Sequence, residues 1–426
     1  MRDFGREAST RIARPRQRMK HWQLSSLVLA LVAAPLTVTA EGKQVDSSLD
    51  FTPVVAGLDY AHIRTTNRNS GEPWSIHIAR MNRAQKDLCL AETLAHHQVF
   101  GTATVSAIAR AFPKEQGQPL VVINAGFCIR TKNPYQGAPR GIGRDADSAM
   151  VIVEREVIGA PSKYSFWVNE DGSMHFGNVG SRFNVALPGG ATFPIGLNTE
   201  CKPDKVMLYT HVLGPSTRAT NCFEVVLEDA RQTRLSWHVG ESQVMRVKQV
   251  NPAGNSLLTP TTSVLAFGSK MSEKAGALKT GDTIKVELKT SPELNHVVTA
   301  CHAIFPVVQN GKALESFDTS GAMLHRNPRT AIGFNSKYFF MVVVDGRQKE
   351  ISMGMNAREL AQFMAELGCE EAMNLDGGGS STFWMQGKTR NSVPGGKERD
   401  RADALVIAQA PSGHNSETTA SPHAGE

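Results

Sequence analysis

The sequence of 426 residues lacks several patterns that assign proteins to common classes. No two cysteines have the Cys-x-x-Cys spacing of a zinc site, and neither a phosphate-binding P-loop nor a dinucleotide fingerprint is present. No stretch after residue 40 approaches the roughly eighteen apolar residues that a membrane-spanning helix needs. Basic residues do not alternate with aromatics along a stripe, so we expect no nucleic-acid partner.

Positive charge is concentrated at the N-terminus. The net charge is +6, but residues 1–20 hold seven basic and two acidic residues, a local +5 that leaves +1 for the rest of the chain. An apolar stretch at 24–38 follows, and Val38-Thr-Ala40 forms a small-residue cleavage site before Glu41. Residues 1–40 are therefore predicted to be a signal peptide, with an uncleaved signal anchor as the alternative. We expect a secreted or periplasmic protein without a stable membrane span after cleavage.

Six cysteines, all after residue 40, are compatible with disulfides in an exported chain. Cys201 and Cys222 are the favoured pair, because they flank the predicted strand at 205–210 and its return strand. Buried free thiols are the alternative, above all for Cys128 and Cys369, which lie among apolar residues.

The apolar pattern predicts many short strands and few helices. Helices are expected at 99–110 and at 357–367, where Asn356 and Glu359 form a capping pattern ahead of apolar residues at helical spacing. The fold class is therefore α+β, with mixed multi-stranded sheets in one domain over 41–408. A tail over 409–426, rich in Ser, Thr, Pro and Gly, is expected to be disordered. Strands are predicted at 74–78, 121–123, 205–210, 223–227, 264–267 and 283–288.

The most informative segment is residues 374–382, Asn-Leu-Asp-Gly-Gly-Gly-Ser-Ser-Thr, here called the glycine loop. Three consecutive glycines permit a ligand to approach the backbone, whose N–H groups can bind an anion. Asp376 beside them can serve as acid, base or nucleophile. Apolar residues before and after the loop predict strands on both sides, and an ordinary tight turn is the alternative for such a loop alone.

A strand–helix–strand unit is expected to carry the glycine loop. The apolar run at 338–344 ends at Asp345, the predicted helix follows, and a second strand leads into the loop. If the two strands are parallel neighbours, Asp345 and Asp376 lie at the same edge of a sheet.

Five motifs in this part of the chain resemble, in order and spacing, those of the phosphodiester glycosidase domain family. That family includes the uncovering enzyme and many bacterial proteins described as exopolysaccharide-related. Weaker similarity reaches back to residues 121–127 and forward to Arg399 and residues 404–405. The five motifs are Arg-Thr-Ala-Ile-Gly-Phe at 329–334, Val-Val-Val-Asp-Gly-Arg at 342–347, Ser-Met-Gly-Met at 352–355, Leu-Gly at 367–368 and the glycine loop.

The resemblance implies a glycosidase-type hydrolase that cleaves a sugar from a phosphodiester, so that a carbohydrate or sugar phosphate is the substrate. Such cleavage needs cations and hydrogen-bond donors aimed at the leaving phosphate, and a carboxyl group that manages protons. Asp376 is the first candidate for acid or base, and Asp345 and Glu398 are candidates for the second carboxylate. Asn124 resembles a family position that holds a sugar hydroxyl or acetamide. The predicted substrate- and phosphate-binding residues are Asn124, Arg329, Thr330, Arg347, Gly377, Gly378, Gly379, Ser380, Ser381 and Arg399.

Three positions depart from the family pattern. Residues 303–306 are Ala-Ile-Phe-Pro where relatives have Gly-Gly-Gly-Pro, residues 124–128 are Asn-Ala-Gly-Phe-Cys instead of Asn-Gly-Gly-Phe-Phe, and Asp403 replaces an asparagine. Bulky residues in place of glycines change the expected shape of the substrate pocket. A negative charge at Asp403 repels a phosphate unless it pairs with Arg399 or Arg401.

Two other functional classes stay open. One is a metal-dependent phosphodiesterase, although the thirteen histidines are scattered and the adjacent pair His96-His97 lacks an Asp-x-His partner. No cofactor is required and no metal site is predicted, but a single calcium or magnesium ion on Asp376 or Asp345 stays open. The other class is a non-catalytic carbohydrate-binding envelope protein that uses the same pocket.

Overall fold

The computed structural model describes residues 49–141, 149–231, 233–302, 304–317 and 321–411, which lie within one unit that begins at residue 43. The predicted signal peptide and nearly all of the predicted tail lie outside the described residues. β-Sheet is the main secondary structure of the described residues, and helices are few. None of the helices in these ranges is long and apolar enough to cross a bilayer.

The strands β1–β24 and helices α1–α3 follow one another along the chain. The first part contains β1 (Thr52–Val55), β2 (Leu58–Thr66), β3 (Pro73–Asn82), β4 (Leu88–Leu94), α1 (Val105–Ala111) and β5 (Gln118–Asn124). The middle part contains β6 (Val151–Val153), β7 (Glu156–Gly159), β8 (Ser162–Asn169), β9 (Met174–Ala186), β10 (Thr192–Leu197), β11 (Val206–Tyr209), β12 (Cys222–Glu228), β13 (Ser242–Asn251), β14 (Thr262–Gly268), α2 (Ser272–Ala275), β15 (Thr283–Ser291), β16 (Val297–His302), β17 (Phe305–Gln309) and β18 (Lys312–Ala313). The last part contains β19 (Arg329–Phe334), β20 (Tyr338–Val344), α3 (Ala357–Glu366), β21 (Glu371–Asn374), β22 (Phe383–Met385), β23 (Lys388–Thr389) and β24 (Asp403–Gln409).

These strands form three β-sheets. The eight-stranded sheet has the order β1-β2-β3-β20-β19-β21-β17-β18, and the five-stranded sheet has the order β23-β22-β5-β24-β4. The eleven-stranded sheet has the order β10-β11-β14-β12-β13-β15-β9-β8-β16-β6-β7. Because β10 also pairs with β9, the strands from β10 to β9 in that order close into a barrel. A buried cluster that includes Phe183, Trp237 and Phe267 packs against them.

The eight-stranded and five-stranded sheets pack face to face. Ile332 of the former and Ile123 and Leu405 of the latter belong to one buried apolar cluster. Helix α3 covers the outer face of the eight-stranded sheet through Leu360, and α1 covers the outer face of the five-stranded sheet through Ile108. Each side chain of this size contributes about 1.5–3 kcal/mol when it is fully buried. The result is a helix–sheet–sheet–helix sandwich, which explains why its central strands are apolar on both faces.

The strand predictions coincide with β3, β5, β11, β12, β14 and β15. The helix predicted at 99–110 is wrong at its start, because α1 begins only at Val105, after the capping residue Thr104. The preceding segment contains bends instead of a helix, and Val99 N–H donates to the Val212 carbonyl at 2.8 Å. A partner distant in sequence therefore overrides a helical apolar pattern.

Helix α3 begins as the sequence predicts. Asn356 Oδ1 accepts from Glu359 N–H at 2.9 Å, and Glu359 Oε2 accepts from Asn356 N–H at 3.0 Å, which is a complete capping box. Such a cap contributes about 1 kcal/mol. The helix ends at Glu366, and Gly368 takes the left-handed φ of +89° that a glycine permits.

The predicted disulfide between Cys201 and Cys222 is not formed, and all six cysteines are free thiols. Cys201 Sγ lies 3.6 Å from the Ala266 carbonyl oxygen, and Cys222 Sγ lies 3.9 Å from the Cys201 carbonyl oxygen. The two side chains are neighbours, as expected from their flanking positions, but each thiol bonds to main-chain oxygen. Cys128 and Cys369 are buried thiols, which agrees with the alternative prediction for them.

Several strand ends meet at the glycine loop and position the site. Strands β20 and β21 both run antiparallel to β19, which lies between them. They are therefore parallel to each other but are not neighbours, which corrects that part of the prediction. Asp345 and Asp376 follow their C-terminal ends and share one sheet edge, on strands about 10 Å apart.

Candidate active site

The glycine loop links the two face-to-face sheets. It leaves β21 in the eight-stranded sheet and enters β22 in the five-stranded sheet. Leu375 N–H donates to the Thr330 carbonyl at 2.8 Å, and Asp376 N–H donates to the Ala125 carbonyl at 3.2 Å. The loop is thus hydrogen-bonded to elements of both sheets, and its turn, Gly378–Ser380, is a short 3-10 helix.

Each glycine of the loop lies against a group that a side chain would displace. A Cβ atom at Gly377 would lie 2.9 Å from a main-chain carbonyl oxygen. At Gly378, whose φ of +65° is left-handed, it would lie 3.0 Å from Arg347 Nη2, and at Gly379 it would lie 2.3 Å from Arg399 Nη2. Two guanidinium groups therefore lie directly on the loop, which only glycine allows.

Asp376 is the carboxylate of the loop, and only 6% of the residue is exposed. Its Oδ2 accepts from Arg401 Nη2 at 2.7 Å, and the Ser380 hydroxyl donates to the same carboxyl group. Burial raises the pKa of Asp376 above its ordinary value, against the opposing effects of Arg401, the Ser380 hydrogen bond and Arg399. A carboxyl group with a raised pKa at a loop built for close approach is suited to proton transfer.

Arg401 is the central residue that sequence reasoning missed as a site residue. Its side chain is fully buried. Besides Asp376, its guanidinium donates to Ser380 Oγ at 3.0 Å and to the Gly126 carbonyl at 2.9 Å. It thereby joins the glycine loop to the segment that follows β5, and it supplies the charge that balances the buried aspartate.

Three arginines, Arg401, Arg399 and Arg130, act on the charge of Asp376, and a fourth, Arg347, acts on Arg399. Burial, followed by the charge of Arg130 and then those of Arg401 and Arg347, lowers the pKa of Arg399, while Asp376 opposes the shift. Four like charges near the glycine loop, set against one carboxylate, give this side of the loop a strongly positive potential. Guanidinium groups held this close together favour a ligand that carries an oxyanion, because planar donors bind its oxygens in pairs.

Asn124 and Thr330 lie beneath the loop and have no exposed surface. Asn124 Oδ1 accepts from the Thr330 hydroxyl at 2.8 Å and from Thr382 N–H at 3.1 Å, and its Nδ2 donates to the Asp376 carbonyl at 2.6 Å. Sequence reasoning assigns Asn124 to a sugar hydroxyl or acetamide, whereas both polar atoms of its amide bind the protein. In the structure this residue holds the loop in shape.

Asp345 is a buried anchor with both oxygens occupied. Oδ2 accepts from Ser75 Oγ at 2.7 Å and lies 3.3 Å from His77 Nε2, while Oδ1 accepts from Ser392 N–H at 2.8 Å and from Asn391 Nδ2 at 3.3 Å. The sequence makes Asp345 a candidate second carboxylate. Its partners instead fix β3 to the segment that follows β23, behind the glycine loop.

Glu398 and Arg329 also have their charged groups engaged within the protein. Glu398 accepts from Ser106 N–H at 2.9 Å, in the first turn of α1, and from the Thr389 hydroxyl. Arg329 donates to the Met355 carbonyl at 2.7 Å, and further donors reach carbonyls of the 323–325 segment. These contacts direct the Arg329 guanidinium to main-chain carbonyls, in contrast to the predicted role of gripping phosphate.

The predicted site residues thus fall into two groups. The first group lies at the loop and comprises Asp376, Arg347, Gly377, Gly378, Gly379, Ser380 and Arg399. The second group supports the loop from below or behind and comprises Asn124, Arg329, Thr330, Asp345 and Glu398, while Ser381 is a buried residue of the loop itself. The Ser381 hydroxyl is buried without a partner among the described residues. Within the described ranges no group of three or more His, Cys, Asp or Glu side chains is arranged to hold a metal ion.

The C-terminal part of the chain is similar to a known protein family. Residues 239–408 match the family model described as phosphodiester glycosidase. This part of the chain is similar to the phosphodiester glycosidase family. The glycine loop, Arg347, Arg399 and Arg401 all lie inside the matched residues, whereas Asn124 and Arg130 lie outside them. The candidate site is therefore completed by residues from outside the matched part of the chain.

Individual proteins resemble the chain more distantly. The uncharacterized SPbeta prophage-derived protein YomE of Bacillus subtilis is 36% identical over 104 residues, which are 24% of this chain and 16% of that protein. A hypothetical protein from Synechocystis has a TM-score of 0.66 at 20% identity, over 84% of this chain and 63% of that one. A Burkholderia pseudomallei K96243 protein named "Putative exported protein" has a TM-score of 0.61 at 17% identity, over 79% and 74%. At these identities the solved structures show a shared fold.

Proposed function

We propose that this protein is an exported glycosidase-type hydrolase that cleaves a sugar 1-phosphodiester. The observation that supports this most is the arrangement of four arginines at the glycine loop, three of which act on its buried aspartate. Repulsion among Arg130, Arg399 and Arg401 is relieved when a phosphate group binds between them. An anionic ligand would therefore be stabilised more than a neutral sugar of the same shape.

The chemistry follows from the placement of that aspartate. Water attacks the anomeric carbon and gives a proton to Asp376, while the bond from that carbon to the phosphate oxygen breaks. The electron pair stays on the phosphate oxygen, where Arg399 and Arg347 stabilise the growing charge. The products are a free sugar and a phosphate monoester.

One catalytic carboxyl group suffices for such a substrate. An ordinary glycoside needs a second carboxyl group, because its alkoxide leaving group must be protonated. A phosphate monoester leaves as a stable anion and needs cations instead of an acid. This explains how Asp376 can act without the help of Asp345 or Glu398, whose oxygens accept hydrogen bonds from the protein.

An isotope experiment tests the reaction class. The purified protein is incubated in oxygen-18 water with the methyl esters of glucose 1-phosphate and N-acetylglucosamine 1-phosphate, with and without chelator. We expect the label in the sugar, which shows carbon–oxygen cleavage, and turnover that chelator does not change. Label in the phosphate with chelator sensitivity would instead support a metal-dependent phosphodiesterase. Binding of both esters without turnover would support a carbohydrate-binding envelope protein.

Replacing Gly379 with alanine tests the contact between the loop and Arg399. The added Cβ would lie 2.3 Å from Arg399 Nη2, so the guanidinium must move away while the backbone stays in place. Because a hydrogen bond to a charged group contributes about 1.5–3 kcal/mol, we expect KM for the ester to rise at least tenfold. Stability should change little, since the displaced atoms are the end of a flexible side chain. Gly321→Ala, at a site where a Cβ meets nothing within 4 Å, is the matched control; equal KM values for the two variants would contradict this role for Arg399.

Export is proposed from the N-terminal sequence. The basic residues, the apolar stretch at 24–38 and the small residues before Glu41 have the order of a signal peptide. N-terminal sequencing of the protein recovered outside the cytoplasm should begin at Glu41. A chain that still begins at residue 1 and pellets with membranes would show a retained anchor.

A further inference from the structure

Two buried acidic side chains, Glu92 and Asp403, face each other beneath the site. Strands β4 and β24 are antiparallel neighbours, and their register pairs Leu405 with Glu92 and Asp403 with Leu94. Each acidic residue is 1% exposed, and their carboxyl groups hydrogen-bond to each other. No other side chain in the described part of the chain donates to these four oxygens, and the Gly126 N–H is the main-chain donor to Asp403. Two carboxyl groups in this arrangement must share at least one proton, because two adjacent carboxylates repel strongly in a buried site.

This pair lies next to the arginine that holds the catalytic aspartate. Arg401 precedes Asp403 by two residues, and the charge of Arg401 lowers the pKa of both Asp403 and Asp376. The charge of Asp376 in turn raises the pKa of Asp403. Burial is the largest cause and brings the pKa of Asp403 to about 6, while that of Glu92 lies well above its ordinary value. Two carboxyl groups therefore interact directly with one fully buried cation, and Glu92 is coupled to it through Asp403.

The other titratable groups that face the pair keep one charge state between about pH 5 and pH 8. Burial raises the pKa of Cys128 to about 11 and raises that of Cys301, and it lowers the pKa of His302 to about 4. The arginines at the glycine loop do not lose their charge in this range, because a guanidinium cannot be deprotonated in proteins. The groups whose protonation can change are therefore the pair and Asp376.

We propose that Glu92 and Asp403 are positioning residues that share a proton and couple anion binding at the glycine loop to the uptake of a second proton. The inference rests on the proposed function, because it takes the loop to be the site of a phosphate group. With one shared proton the pair carries one negative charge, which competes with Asp376 and the ligand for Arg401. When the pair takes a proton from solvent it becomes neutral, and the full charge of Arg401 then acts on Asp376 and the ligand. By linkage, a bound dianion favours that protonation.

Sulfate binding measured against pH tests this coupling. Sulfate remains a dianion from about pH 5 to about pH 8, so only the protein contributes to the pH dependence. Calorimetric titrations in two buffers of different ionisation enthalpy give both affinity and proton uptake. We expect wild-type affinity to fall roughly tenfold across this range, as a unit charge nearby in a medium of effective dielectric constant about 20 implies. Proton uptake should accompany binding near the upper end.

The Asp403→Asn variant shows whether the pH dependence of sulfate affinity comes from the Glu92–Asp403 pair or from Asp376. The amide N–H can donate the hydrogen bond that the shared proton provides, and it does not titrate. We expect sulfate affinity in this variant to be nearly independent of pH, with little proton uptake, and Glu92→Gln offers a second test if the first variant folds poorly. Wild-type pH dependence that persists in both variants would assign the titration to Asp376 and overturn the proposal. Asp171→Asn, which removes an exposed carboxylate, is the control.

The pH dependence of protein stability tests the proton-sharing pair without any ligand. The folded-state pKa of Asp403 is raised, so the stability it confers is fully present below its unfolded pKa and is lost as pH rises through about 6. Relative to wild type, the unfolding equilibrium constant of Asp403→Asn should therefore fall about tenfold to a hundredfold between about pH 4 and about pH 7. If wild type binds no sulfate but shows this shift, the shared proton stands while the anion site, and with it the proposed function, fails. No shift in stability would reject the proton-sharing pair.

Discussion

The Asp376→Asn variant is expected to lose about a thousandfold or more in kcat for cleavage of a sugar 1-phosphodiester. Asparagine has the shape of aspartate, and its amide oxygen still accepts from Arg401, but it cannot take the proton of the attacking water. KM should change much less than kcat, because Arg399 and Arg347 still contact the phosphate. The measurement is the release of phosphate monoester by the variant and by wild type under identical conditions.

The control for this prediction is Asp171→Asn, since Asp171 lies exposed in the turn between β8 and β9. We expect the control to keep wild-type kcat. The Asp376→Asn protein should retain the fold with reduced stability, because Arg401 keeps its acceptors at Ser380 and Gly126. Circular dichroism confirms folding before kinetics are compared. A kcat within threefold or so of wild type would remove Asp376 from the mechanism.

The Arg401→Met variant should have the largest effect on stability. It leaves the Asp376 carboxylate, with a side chain only 9% exposed, without the guanidinium that lies 2.7 Å away. Breaking a buried ion pair in this way costs about 3–5 kcal/mol in the free energy of unfolding near neutral pH. Arg347→Met removes an exposed arginine that also contacts the glycine loop, and it should change stability by about 0.5 kcal/mol or less. Urea unfolding of the two variants measures the contrast.

The stability that Arg401→Met loses relative to wild type should increase as pH rises. Without the arginine, the pKa values of Asp376 and Asp403 rise further above those of the unfolded chain. A carboxyl group whose pKa is raised in the folded state contributes to stability at low pH, and that contribution is lost as pH rises. The free energy of unfolding that Arg401→Met loses relative to wild type should therefore grow from about pH 5 to about pH 8. Adding Asp376→Asn to the variant removes the unpaired charge, and the cycle should show a coupling of about 2 kcal/mol. Additive effects would mean that the two charges do not interact.

Local patterns in the sequence were sufficient for many of the elements. Alternating or continuous apolar runs mark β3, β5, β12 and β15, and the capping pair at Asn356 and Glu359 marks the start of α3. These predictions succeed because the helix cap is bonded by residues three positions apart. An apolar strand, in turn, can be recognised without knowing which strand it pairs with. The order of strands was beyond such reasoning: β19 lies between β20 and β21, since pairing depends on residues far apart along the chain.

Some features of the site also follow from the local sequence alone. The position of the glycine loop at a strand end, and the need for glycine there, follow from residues 374–382 alone. The loop also contains Asp376, the strongest candidate for proton transfer. Those features depend on local backbone geometry, which adjacent residues dictate.

Which polar groups face a ligand depended on contacts between distant segments. Asp345 and Arg329 have their polar atoms taken by protein partners, whereas Arg401 lies beside Asp376 although nothing in its local sequence distinguishes it from Arg399. The environment of Asp403 likewise comes from Glu92 on a strand about three hundred residues earlier. A side chain's charge and its free hydrogen-bonding capacity are set by burial and by neighbours, and those exist only once the two sheets have packed.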